Sequence, residues 1–170
     1  MKSLETIKKT LFEIAQTLSQ NTYLQQLLIE DNNDIQKGNP TFTIQSINDL
    51  MEEQYICLDA HLENGIVNHG RNSFIIIHLD SMSFKQSNNN IPVYGSIYIA
   101  TDKNHVMLTE NRQRLWEMID EIYKTIDGKK FSAAGILEIK NVSSVVYSEY
   151  SFGYRISFEF KEQEQRKAVL

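Results

Sequence analysis

Two incompatible apolar periods stand back to back between Leu108 and Lys161, and together they restrict the fold more than any other part of the chain. Leu115, Met118, Ile119, Ile122 and Ile126 recur at helical spacing, with Thr109 placed to cap the start, Gly128 to stop the end, and Lys124 near the negative pole. After the linker Lys129 to Gly135, the stretch ILEIKNVSSVVYSEY reads as a long strand. Tyr154, Ile156, Phe158 and Phe160 then alternate with Arg155, Ser157, Glu159 and Lys161, the period of a strand with one buried face. Ser151-Phe152-Gly153 is the expected turn between these strands. A helix with one apolar stripe must bury it against another layer, which predicts an α+β domain.

The first half repeats the theme. Leu4, Ile7, Leu11, Ile14 and Leu18 fall on one helical stripe beginning near Ser3, where Glu5 suits the positive end of the dipole. Asn21 is read as a break, with Leu24, Leu27 and Leu28 extending the helix a turn or two before the polar loop Glu30 to Pro40. A short helix is expected around Ser46 to Glu53. Ile56, Leu58, Ala60 and Leu62 alternate with Cys57, Asp59, His61 and Glu63, a half-buried strand that turns at Asn64-Gly65 or within the segment to Asn72. Ser73 to Phe84 and Ile91 to Thr101 complete an antiparallel meander around the polar tip Gln86 to Asn90, which is expected to project and to be mobile. The predicted fold is two main helices on one face of a mainly antiparallel β-sheet with a projecting β-hairpin loop. It forms a single domain over 1–170, with 161–170 as a flexible or partner-binding arm.

Composition narrows the function classes. A chain of 170 residues is long enough for one core, and a net charge of -5 with no basic stripe argues against general nucleic-acid binding. The pairs Lys8/Lys9 and Lys129/Lys130 read as solvated surface. Cys57 is the only cysteine, so no intramolecular disulfide or thiolate cage can form, and it reads as a small apolar filler. The first residues lack a signal-type apolar run and no window is long enough for a membrane span, which sets the expectation of a reducing cytoplasm or a particle assembled there.

Chemistry-bearing residues are sparse. There is no phosphate loop, HExxH, GxSxG or EF-hand spacing, and His69 and His105 fall in loops without a partner nearby. If strand residues whose numbers sum to 139 were opposite, Asp59 would face Asp80 and His61 would face His78, a set able to hold a divalent metal. A metal-dependent hydrolase is therefore the enzymatic alternative. A solvated sheet face is the reading preferred, and no catalytic, cofactor or metal residue is assigned. Tyr147, Tyr150, Phe152, Tyr154, Phe158 and Phe160 could stack bases, but Glu149, Glu159 and Glu162 lie among them where cations would be needed. Core and subunit contact is the reading taken. Trp116 and Tyr123 are expected to widen the core-facing stripe of their helix.

The block from Tyr94 to Phe160 resembles the tail terminator and head-to-tail connector subunits of tailed bacteriophages. SIYIATDKN followed by LTENRQRLWEMIDEIYKTIDG is similar to the strand and helix of those proteins, and ILEIKNVSSVVYSEYSFGYRISFEF to their closing strands. The resemblance implies a structural virion protein of the neck or tail, made in the host cytoplasm. It would form a six-fold or twelve-fold ring between portal-side, connector and tail-tube neighbours, with DNA passing through the channel without specific binding. Head-to-tail contact needs two unlike surfaces. The candidate subunit or partner interface comprises Arg71, Lys85, Gln86, Asn88, Asn89, Asn90, Lys161 and Arg166. A small protein-binding adaptor, monomeric or dimeric, is the other alternative.

Overall fold

The computed structural model describes residues 4–31, 35–58, 73–82, 93–132 and 134–161. Among them lie four helices, α1 (Leu4–Ser19), α2 (Thr22–Ile29), α3 (Ile47–Glu52) and α4 (Arg114–Ile126). Six strands accompany them: β1 (Ile56–Leu58), β2 (Ser73–Met82), β3 (Val93–Asp102), β4 (Lys130–Phe131), β5 (Gly135–Val146) and β6 (Ser151–Lys161). The fold is α+β, and the strands form one sheet in the order β1-β2-β3-β6-β5-β4.

The sheet is mixed, which corrects the expected meander. β1 runs parallel to β2, with Ile56 beside Ile75 and Leu58 beside Ile77, while β2 and β3 are antiparallel. Alternation along a strand assigns its faces but not its direction. The fourteen residues between Leu58 and Ser73 (59–72) exceed the roughly one dozen that a parallel connection requires. The tip 86–90, the turn 64–72 and the arm beyond Lys161 lie outside the described residues.

Beside the two main helices and the short one expected near Ser46, α2 stands as a separate helix, because Asn21, read as a break, is a cap. The Asn21 side chain accepts from the Leu24 N–H at 3.0 Å and opens α2 as a separate helix. Ser46 opens α3 through a reciprocal pair of bonds with Asp49. Thr109, by contrast, caps nothing in α4. Glu110 and Asn111 sit at φ +61° and +60°, a left-handed step no helix continues through, so α4 starts only at Arg114, and Gln113 at its cap makes no side-chain bond.

The helices cover one face of the sheet. Leu11, Ile14 and Leu18 of α1, Leu24 and Leu27 of α2, and Leu115, Met118, Ile122 and Ile126 of α4 pack on Ile75, Ile77, Ile97, Ile99, Ile156 and Phe158. Each such side chain contributes about 1.5–3 kcal/mol on burial. A smaller cluster of Phe74, Ile76 and Ala100, with Cys57, Tyr98 and Tyr147 against it, occupies the other face. Cys57 does pack as an apolar filler there.

Two buried carboxylates tie the helical layer together. Glu121 of α4 accepts from Asn21 Nδ2 at 3.0 Å and pairs with Lys37, which joins α4 to the start of α2 and to the loop after it. Glu30 accepts from the Thr41 N–H at 2.6 Å, the Thr41 hydroxyl at 2.8 Å and Gln26 Nε2 at 2.9 Å. Burial pushes both carboxyls up, but hydrogen bonds to each, with Lys37 and Lys124 near Glu121 and Arg114 near Glu30, outweigh it and hold them below 4.5. Depressed folded pKa values give stability that is complete above the ordinary carboxylate value and is lost as pH falls through the folded ones. Thermal melts should therefore steepen in their pH dependence below about 4.5, and Glu121→Gln should flatten that dependence. Equal slopes for wild type and variant would remove Glu121 from this account.

Candidate functional site

An apolar surface left open by this packing starts on α4. The buried stripe of that helix is centred on Leu115, Ile122 and Ile126. Trp116 and Tyr123 each follow a stripe residue by one position, which turns them roughly 80–100° away from its centre. Both are 51% exposed, so they do not widen the core-facing side as expected. Seven residues apart, they stand on one side of the helix about 10 Å from each other.

Trp116 leans on β6. Its ring meets Tyr154 at 5.1 Å between centroids, tilted by 47°. Tyr154 and Phe152 share the helix-side face of β6, and Phe152 lies opposite Val146 of β5, which is 74% exposed. Trp116, Tyr154, Phe152 and Val146 thus form a strip across three elements, α4, β6 and β5. Exposed Tyr150 continues it into the turn, where Lys103 Nζ lies 4.4 Å from the ring centre. Scattered exposed apolar residues need no explanation, but a contiguous aromatic strip marks an interaction surface.

The opposite face has no helix residue packed on it among the described residues, and it is charged. Arg155 Nη2 holds Asp80 at 2.8 Å, and Arg155 Nε donates to the Ser96 hydroxyl at 2.7 Å while the guanidinium lies 5.8 Å from the Tyr98 ring centre. The bond to Asp80 raises the Arg155 pKa. Further along, Lys140 bridges Glu138 at 2.5 Å and Glu159 at 2.6 Å, which pushes its ammonium up to about 12. Lys161 also pairs with Glu138. Of the predicted interface residues, Lys161 is the one described; Arg71, Lys85, Gln86, Asn88, Asn89, Asn90 and Arg166 lie outside the described residues.

The register on which the four-residue metal arrangement was drawn is not the one β1 and β2 adopt. It required β1 and β2 to be antiparallel, and the parallel register replaces that pairing. Asp80 sits at a bulge between Leu79 and Ser81 and is bound by Arg155 and Ser96. Asp59 and His61 lie outside the described residues, and among those described no group of three metal-ligating side chains occurs.

The aromatic residues of the closing strands divide between core and surface. Phe158 and Phe160 are buried, 5.6 Å apart and edge to face. Tyr147 crosses β6 to meet Phe74 edge-on at 6.0 Å, and burial, then the nearby Tyr98, raises its hydroxyl pKa far above the ordinary value. The rings left open, Tyr150 and Phe152, belong to the strip described above. An open groove beside α3 is lined by Phe42, Thr43, Ile44, Gln45, Asp49, Glu52 and Glu53. No family model matches the chain, and no curated protein is similar to it.

Proposed function

We propose that the chain is a structural virion protein that forms a ring at the head–tail junction or tail end of a tailed phage, terminating or connecting the tail tube. The observation that carries this reading is the strip of Trp116, Tyr154, Phe152 and Val146, solvent-facing aromatic surface that a self-sufficient monomer would not need. A cyclic assembly needs two unlike surfaces on each subunit. The strip supplies an apolar one, and the helix-free face with Arg155, Asp80, Lys140 and Glu159 supplies a charged one. The element order, helix then strands then helix then paired strands, supports the same reading.

In this reading Lys85, Gln86, Asn88, Asn89, Asn90, Arg71 and Arg166 supply further contacts. The subunit acts by shape: ring closure ends tube growth and presents a seat for the neighbouring connector or tail-tube protein. No residue is catalytic. A net charge of -5 suits a channel that lets DNA slide without adhering.

Mass measurement and electron microscopy of the chain, alone and co-expressed with the proteins encoded beside its gene, test the proposal. Closed rings are expected, and the double variant Trp116→Ala, Phe152→Ala should lose them while keeping its circular dichroism. Central aromatic anchors contribute about 2 kcal/mol or more each, so assembly should weaken by well over tenfold. A chain that never exceeds a dimer in either setting overturns the ring.

A further inference from the structure

The outer edge of β5 is covered at one end and bare at the other. β4 pairs with Gly135 and Ile136. Leu137 then exchanges backbone bonds with Gly128 and Lys129 at 2.8 and 3.0 Å, and the Ile139 N–H donates to Asp127 Oδ1 at 2.8 Å. A bulge at Lys140 follows. From Asn141 to Val146 no described residue pairs with the outer edge, and Asn141, Ser143, Ser144 and Val146 are exposed.

The direction of each backbone group follows from the ladder. The Tyr147 N–H donates inward to the Ser151 carbonyl, so Asn141, Ser143 and Val145 share its inward side, bonding toward β6. Val142, Ser144 and Val146 turn their N–H and C=O groups out. Edge strands are normally blunted by charge, proline or a covering element. Asn141 to Val146, NVSSVV, has no charge and no proline.

We propose that this edge pairs with the same edge of a second copy, antiparallel about a twofold axis at Ser144. One register uses all three outward residues: Ser144 opposite the partner's Ser144, and Val142 opposite the partner's Val146, in hydrogen-bonded pairs. Both valines lie on the helix side of the sheet, Val142 across from Ile156 and Val146 across from Phe152. The partner's Val142 therefore covers Val146, the most exposed large apolar side chain among the described residues. On the other face Ser143 meets the partner's Val145. An unrelated peptide could satisfy the same backbone groups, but the self-matched register singles out a second copy. The contact is isologous and does not depend on the ring reading, whose contacts are head to tail.

Mass measurement at rising concentration, combined with amide hydrogen exchange on the full chain, tests the pairing. Wild type should form dimers, or assemblies built from them, in which the Val142, Ser144 and Val146 amides exchange at least tenfold more slowly than in the monomer. Ser144→Pro removes the central outward N–H, which no contact among the described residues uses. It should stay folded, lose the pairing and leave the Val142 and Val146 amides free to exchange. If that variant does not fold, Ser144→Cys in a Cys57→Ser background replaces it. Hydrogen-bonded antiparallel partners stand about 5.5 Å apart at Cα, within disulfide range, so oxidation should link two copies through position 144. A monomer at every concentration, a heteromeric complex without self-pairing, or rings whose edge amides exchange freely overturns the proposal. Loss of rings with the edge still protected counts against the ring reading alone.

Discussion

Replacing Arg114 with methionine is expected to destabilise the fold by about 3–5 kcal/mol, a large share of the ~5–15 kcal/mol that holds a domain of this kind together. The side chain is fully buried. Its Nε donates to the His105 carbonyl at 2.9 Å, and Nη1 reaches the Leu27 and Glu30 carbonyls at 2.7 Å each. Those last two belong to the end of α2, where helix carbonyls have no partner within the helix. One guanidinium thus closes α2, the loop before α4 and α4 itself. Burial lowers its pKa to about 10, and the charges of Asp31 and Glu30 keep it protonated at neutrality. Methionine fills the volume but leaves buried carbonyls unpaired, each costing about 1–3 kcal/mol. Arg114→Lys should recover less than half of the loss, because an ammonium cannot reproduce the planar fork. Urea unfolding measures both variants. A loss below about 1 kcal/mol for Arg114→Met would mean that water substitutes for the fork.

Nothing local in the sequence marks Arg114 for that role. Its carbonyl partners on α2 lie 87 and 84 positions earlier, and a cation at a helix start is unfavourable by the dipole alone. What periodicity controls was legible: the α1 and α4 stripes, the alternation of β6, and the short helix behind Ser46 all form where the pattern puts them. What depends on distant partners was not. The direction of β1 is set by pairing with β2, and the late start of α4 by two left-handed residues that could equally have been helical.

The proposed interaction surface shows the same division. Interface residues were sought in polar loops, on the argument that exposed tips carry contacts. Those loops lie outside the described residues; the described surface adds exposed aromatic side chains on a helix and a strand. A finer use of the α4 period would have found part of it, since Trp116 and Tyr123 fall off the stripe by about a quarter turn. Val146 and Phe152 could not be found that way, because their exposure depends on which strand ends the sheet. Fold position, not composition, decides that no described residue pairs with the outer edge of β5 from Asn141 to Val146.

Gly153→Ala is expected to cost about 3 kcal/mol, at the upper end of what added volume does in a packed interior. The sequence suggested a turn at Ser151-Phe152-Gly153, yet Gly153 lies within β6, paired with Ala100 and Val145. Its missing side chain serves a close approach. A Cβ there would stand 2.0 Å from the Ile99 carbonyl oxygen and 2.4 Å from the Tyr147 ring. The ring could move; the carbonyl belongs to a central strand and cannot move alone. Gly95 offers the contrast, because its Cβ would first meet the tip of the Phe158 ring at 2.3 Å, with the His78 carbonyl at 2.8 Å. Pairing Gly95→Ala with Phe158→Leu should therefore recover part of the loss, whereas Tyr147→Leu should recover little of the loss in Gly153→Ala. Denaturant midpoints of the two double variants against their singles make the comparison. Full rescue by Tyr147→Leu would show that the tyrosine, not the β3 backbone, requires glycine at 153.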